Sequence, residues 1–185
     1  MQHLYFISGP CGVGKSTAAD ALAQTFLKAG RTVCLIHGDD VGDCLLLPEE
    51  FSPFTEDGHI RDEALWNRII GFTWQCILDT ARNALAAGAD VIIDYVIEEE
   101  LPLVTALAKE TGAAFHYTVL TASREALVRH LAGRGDPATL GRSLFLKEKL
   151  EQAEENCRHL LDLSDLSPEQ TVQALTDDRF LVAIE

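Results

Sequence analysis

Five short apolar runs punctuate the chain, at Leu4–Ser8, Thr32–His37, Asp90–Val96, Ala114–Leu120 and Phe180–Ile184, and each reads as a β-strand. The stretches between them carry apolar residues at helical spacing. Residues Lys15–Lys28 place Ala18, Leu22 and Phe26 on one face and end before Gly30; Asp62–Ala87 is a long helical pattern closed by Gly88. Further helices are predicted over Leu101–Thr111, with Pro102 in the first turn, over Arg124–Ala132 and over Leu144–Leu161. Ser167-Pro168-Glu169-Gln170 is a capping box that opens a last short helix. Residues 42–61 and 133–141 read as loops. The strands are unbroken apolar runs, the pattern of a parallel sheet buried on both faces by helices. The expectation is an α/β, three-layer sandwich forming one domain over residues 1–185, with no internal repeat.

The first loop carries the strongest chemical signal. Gly9-Pro10-Cys11-Gly12-Val13-Gly14-Lys15-Ser16 matches G-x-x-x-x-G-K-[ST] and lies between a predicted strand and a predicted helix. Gly9, Gly12, Val13 and Gly14 lie in a loop whose amide N–H groups can turn inward around an anion, and the helix behind adds its positive dipole end. Lys15 can reach the β- and γ-phosphates of a nucleotide, Ser16 can bind Mg²⁺, and Thr17 can donate to the α-phosphate. Cys11 reads as a small residue tolerated in the loop; the alternative is a redox-sensitive thiol activated by the helix N-terminus.

Composition narrows the partners. Of 185 residues 47% are hydrophobic and 24% charged, with a net charge of −14. Such acidity disfavours nucleic acid as a partner, whereas a nucleotide can still bind in a locally positive pocket. No apolar run is long enough to span a bilayer, and the N-terminal residues Met1-Gln2-His3-Leu4-Tyr5 do not resemble a signal peptide. Five scattered cysteines without a C-x-x-C pair read as reduced thiols, and the protein is expected to be cytoplasmic. Monomer and homodimer both remain open. The histidines, His37 among them, show no metal spacing and are assigned no chemistry.

Carboxylates at the predicted strand ends extend the site. The third strand ends in Asp94, which can hold Mg²⁺ directly or through water; Tyr95 follows it where motor-type ATPases usually carry a water-activating glutamate. The second strand ends His37-Gly38-Asp39-Asp40, and ligands of open parallel sheets sit at the carboxyl ends of strands. One of these aspartates can take a proton from an attacking hydroxyl, orient that hydroxyl, or bind Mg²⁺ through water; a plain turn or helix cap is the alternative. Glu98, Glu99 and Glu100 read as a solvated start of the next helix.

The phosphate loop near the N-terminus, the "GDD" after the second strand and the apolar strand ending in Asp94 together resemble small-molecule P-loop kinases. The group includes gluconate kinase, adenylylsulfate kinase, shikimate kinase and chloramphenicol phosphotransferase. The resemblance implies a five-stranded parallel core in the order 2-3-1-4-5. It implies that the acidic residue after the second strand, Asp39 with Asp40 in reserve, meets the acceptor. It also implies an arginine-bearing lid over residues 133–143. Arg129, just before it, would lie near the base or phosphates of ATP, and Arg134 and Arg142 in the lid would close on the transferring phosphoryl group. Phe51, Phe54, Arg61, Trp66, Trp74 and Tyr95 are candidates for an acceptor pocket in and beside the segment 42–61, although aromatic residues at helical spacing such as Trp66 and Trp74 are commonly core. The resulting expectation is a kinase that uses ATP and Mg²⁺ to phosphorylate a hydroxyl of a small molecule. Its catalytic residues are Lys15, Asp39, Arg134 and Arg142, and its metal site is Ser16 with Asp94. A non-catalytic ATP-binding module and a nucleoside triphosphate hydrolase are the alternatives.

Overall fold

The computed structural model describes residues 1–46, 55 and 59–184. Five strands, β1 (His3–Ser8), β2 (Val33–His37), β3 (Asp90–Asp94), β4 (Ala114–Thr121) and β5 (Leu160–Asp162), form one all-parallel sheet in the order β2-β3-β1-β4-β5. Helices α1 (Lys15–Lys28), α2 (Gly38–Asp43), α3 (Glu63–Ala86), α4 (Leu101–Thr111), α5 (Arg124–Gly133), α6 (Leu140–Gln152) and α7 (Pro168–Leu175) connect and flank the strands. The chain thus has a P-loop-type α/β sandwich with helices on both sides of the sheet.

Alternation along each strand divides the core in two. Leu4, Phe6, Val91, Ile93, Phe115 and Tyr117 pack on one face with Trp74, Ile77 and Leu107 from α3 and α4. Tyr5, Ile7, Ile92 and Leu120 point to the other, against Leu22 and Phe26 of α1, Leu127 of α5 and Leu175 of α7. Both faces are buried, which is why the strands read as continuous apolar runs. Local signals set the helix ends. The Asp62 carboxylate accepts from Leu65 N–H at the start of α3, and the predicted capping box opens α7 through Ser167 and Gln170.

The fifth strand is not where the apolar pattern puts it. Phe180–Ile184 forms no strand: Phe180 ends a 3₁₀ turn and is buried in the core, and Leu181 makes a single antiparallel bridge to His116. The parallel edge strand is Leu160–Asp162, three residues that pair with Val119–Thr121. They lie at the end of what reads as one helix from Leu144 to Leu161. That helix in fact runs from Leu140 to Gln152 and is followed by a 3₁₀ turn at Glu154–Asn156. The Asn156 side chain explains the break, because it accepts from the Tyr117 hydroxyl and donates to Leu150 O, tying the turn to β4.

Candidate active site at the carboxyl end of the sheet

Gly9, Gly12 and Gly14 have φ of +145°, +76° and +106°, a region that favours glycine. Two of them also lack room for a side chain. A Cβ on Gly9 would stand 2.6 Å from Leu120 O, and one on Gly12 would stand 2.8 Å from Leu131. The backbone therefore curls as a phosphate cradle does, with α1 starting at Lys15 directly behind it. Lys15 is buried and its ammonium donates to Gly9 O and Pro10 O at 3.1 and 3.2 Å, which holds the charge across the loop. Two outside groups brace the same loop. Ser143 Oγ donates to Cys11 O at 2.7 Å, and His130 Nδ1 lies 3.1 Å from Gly12 O.

Asp94 ends β3 beside the loop and is 3% exposed. The Ser16 hydroxyl donates to its Oδ2 at 2.7 Å, and His37 Nδ1 lies 2.5 Å from its Oδ1. Burial pushes the Asp94 carboxyl up against the stabilising contacts of Ser16, His37 and Lys15. For His37, burial alone would lower the pKa; the hydrogen bond and charge of Asp94, with Asp20 and Asp40 farther out, reverse this and raise it. His37 had no assigned chemistry, yet the strand register sets it directly opposite Asp94. The neighbouring strand order, combined with two polar residues ending adjacent strands, was the signal for it.

A cavity of about 310 Å³ opens on one side of the loop. Asp39, in the first turn of α2, lines it together with Cys11, Trp66, Trp74, Tyr95 and Arg142. Asp40 is not among its lining residues. Glycine at position 38 is what lets α2 come this close, since a Cβ there would lie 2.4 Å from the Tyr95 ring. Both tryptophans line the cavity but differ in burial: Trp74 also belongs to the core, stacked on Phe6 and edge-on to Tyr95, while Trp66 is half-buried. Arg61 is exposed and does not line this cavity; Phe51 and Phe54 lie outside the described residues. Of the predicted acceptor segment 42–61, Ile60 reaches the wall.

A second cavity, about 590 Å³, lies on the other side of the loop, against Gly12, Val13, Gly14 and Thr17. Arg129 and Arg134 both line it. The arginines thus split: Arg134 joins Arg129 on this side and Arg142 faces the first cavity, so Arg134 and Arg142 do not converge as expected. Arg142 is buried and ion-paired with Glu98, which also lies 3.0 Å from Lys149 Nζ. Glu98 is therefore not part of a solvated helix start. Its partners on α6 are 44 and 51 residues away in the chain, beyond the reach of any local pattern. Residues 133–143 do not form one open loop either: they include the end of α5, a 3₁₀ turn at Pro137–Thr139 and the first turn of α6. Cys11 is no activated thiol; burial, ahead of the opposing pull of Lys15, raises its pKa.

Among the described residues no cluster of three or more His, Cys, Asp or Glu is arranged to hold a metal. Ser16 and Asp94 offer a hydroxyl and one carboxylate, which suits Mg²⁺, an ion that takes few protein ligands and completes its shell with phosphates and water. No helix among the described residues is long and apolar enough to cross a membrane.

The family model described as AAA domain matches residues 4–160. No curated protein matches the chain in sequence. Among solved structures, the Deinococcus radiodurans tunicamycin resistance protein aligns with a TM-score of 0.62 at 19% identity, over 95% of this chain and 94% of that one. The Mycobacterium tuberculosis APS kinase, solved with AMPPNP and APS, aligns with a TM-score of 0.63 at 15% identity, over 94% and 95%. A gluconokinase from Sinorhizobium meliloti 1021 aligns with a TM-score of 0.54 at 17% identity, over 94% and 89%. At these identities what is shared is the fold, and it is the fold of the small-molecule P-loop kinases that the sequence resembles.

Proposed function

The chain belongs to the AAA domain family, and from that premise we propose that it is a cytoplasmic kinase that uses ATP and Mg²⁺ to phosphorylate a hydroxyl group of a small molecule. One observation carries the reading: two cavities flank a single phosphate-type loop, one lined by the loop glycines and two arginines, the other by an aspartate among aromatic rings. A hydrolase needs room for water only; a cavity of about 310 Å³ with a carboxylate in its wall has the size of a small-molecule site.

In this reading the nucleotide lies along the second cavity, with its phosphates in the cradle of loop amides and Lys15. Arg129 and Arg134 neutralise charge on that side. Ser16 and Asp94 would hold Mg²⁺, an ion that would supply positive charge to offset that of the phosphates. His37 keeps Asp94 turned toward Ser16 through their hydrogen bond. The acceptor sits in the aromatic cavity, where Asp39 accepts a hydrogen bond from the attacking hydroxyl and takes its proton as the oxygen bonds to the γ-phosphorus and the bond from that phosphorus to the leaving ADP oxygen breaks. Arg142 helps shape the acceptor side, held in place by Glu98.

The test is Mg·ATP-dependent ADP release by the purified protein across a panel of hydroxyl-bearing compounds, with Lys15→Ala alongside. Stimulation by an acceptor, lost in the variant, supports the kinase. ATP turnover that no acceptor changes points to a hydrolase. ATP binding without turnover points to a regulatory module.

A further inference from the structure

The aromatic cavity has walls of two kinds. Trp66, Trp74, Tyr95, Ile60 and Ile70 form an apolar side. The remainder is charged, with four carboxylates, on Asp39, Glu98, Glu99 and Glu100, against two cations, Arg142 and Lys149. Both cations are already engaged by the protein. Arg142, 5% exposed, pairs with one oxygen of Glu98, and Lys149 Nζ lies 3.0 Å from the other and 3.9 Å from Glu99. The undescribed residues 47–54 and 56–58 contain no lysine, arginine or histidine that could offset this balance. A carboxylate, sulfate or phosphate on an acceptor would enter against net negative charge, and like-charge contact in an enclosed site is strongly disfavoured.

The apolar side adds a second constraint, because three of its residues, Trp66, Trp74 and Tyr95, are aromatic. The aromatic faces complement a ring and attract a protonated amine. Resting on the kinase reading above, we infer that the acceptor is a ring-bearing alcohol without an anionic group, and that a protonated amine strengthens its binding.

The molecule carries its own reporter, because its two tryptophans both line this cavity. Two matched sets of probes vary charge on a hydroxylated ring: glucosamine, glucose and glucuronate; and tyramine, tyrosol and 4-hydroxyphenylacetate. Each is titrated against tryptophan fluorescence of the whole protein with Mg·AMPPNP bound. In at least one set the amine is expected to bind about tenfold or more tighter than the acid, with the neutral member between them. Glu99→Lys, at a side chain 86% exposed and so tolerated by the fold, should narrow that gap. Equal affinities, a tighter acid, or no fluorescence response to any probe at millimolar concentration would overturn the inference. A separate titration with a fluorescent ATP analogue keeps the two proposals apart. If the analogue fails to bind, the kinase reading falls; if it binds and the acid wins, only the charge selection does.

Discussion

On the proposed nucleotide side, the phosphate cradle itself comes from consecutive residues, Gly9 to Thr17, while the cavity beside it takes further walls from α5 and its end, with two arginines, and from Leu163, Leu166, Pro168 and Thr171. The proposed acceptor side gathers Asp39 from α2, Trp66 and Trp74 from α3, Tyr95 from just past β3, Glu98 from the turn after it and Arg142 from α6. The first is a backbone device whose geometry is dictated by glycines at positive φ and by a strand-to-helix turn. The second is a side-chain device whose members meet only because the sheet order and helix packing bring them together. Anion binding needs amide groups in a fixed curl, which a short segment can encode by itself. A shaped pocket needs walls on several sides.

If that division holds, changes on the two sides should separate in their effects. The largest is expected for Lys15→Ala, which removes the cation held across the loop: turnover should fall about a thousandfold with the folded state retained by circular dichroism. Unchanged ADP release would sink the assignment of the loop. Asp39→Asn should lower kcat about a hundredfold while the affinity for ATP stays as it was; a parallel loss of ATP binding would show that Asp39 serves the nucleotide side instead. Trp66→Ala should raise KM for the acceptor about tenfold and leave KM for ATP alone. Arg134→Gln should do the reverse, with about a threefold rise in KM for ATP, since an exposed arginine contributes modestly. An effect on the acceptor KM instead would return Arg134 to the other cavity.

One change should touch neither side. His116 lies near the opposite end of the sheet, stacked on Tyr5 with His3 3.1 Å away, and burial pushes its pKa down to about 4. Because the folded value lies below the unfolded one, its contribution to stability is complete above about pH 6.5 and is lost as the pH falls toward 4. Urea unfolding should show a loss of about 2 kcal/mol between pH 7 and pH 5, reduced in His116→Gln. A slope indifferent to that substitution would mean that other groups set the acid limit.

The same division explains what could be read from the chain alone. β1 to β4 and the phosphate loop are visible because each is a contiguous pattern. Asp94 is visible because it closes an apolar strand. β5 is hidden because three residues after a helical run carry no periodicity of their own, while in the more apolar Phe180–Ile184 only Phe180 is buried, and the segment is tied on by the Val182 N–H donating to Phe115 O. Glu98 is hidden because its charge is answered from α6. Asp39 and Asp40 are neighbours of the same kind, ranked in sequence only by the family resemblance that favours Asp39, and it is the turn of α2 that sets Asp39 against the cavity.

The two braces on the phosphate loop have an engineering consequence. His130 from α5 and Ser143 from α6 grip the carbonyls of the adjacent residues Gly12 and Cys11, so the chain that joins the two helices starts and finishes at fixed posts. Its exposed stretch Gly135 to Ala138 is a natural splice point. Lengthening a surface connection costs little in closure entropy, and a reporter or regulatory segment inserted there would begin and end close in sequence to the two residues that brace the proposed nucleotide cradle, without contributing an atom to it.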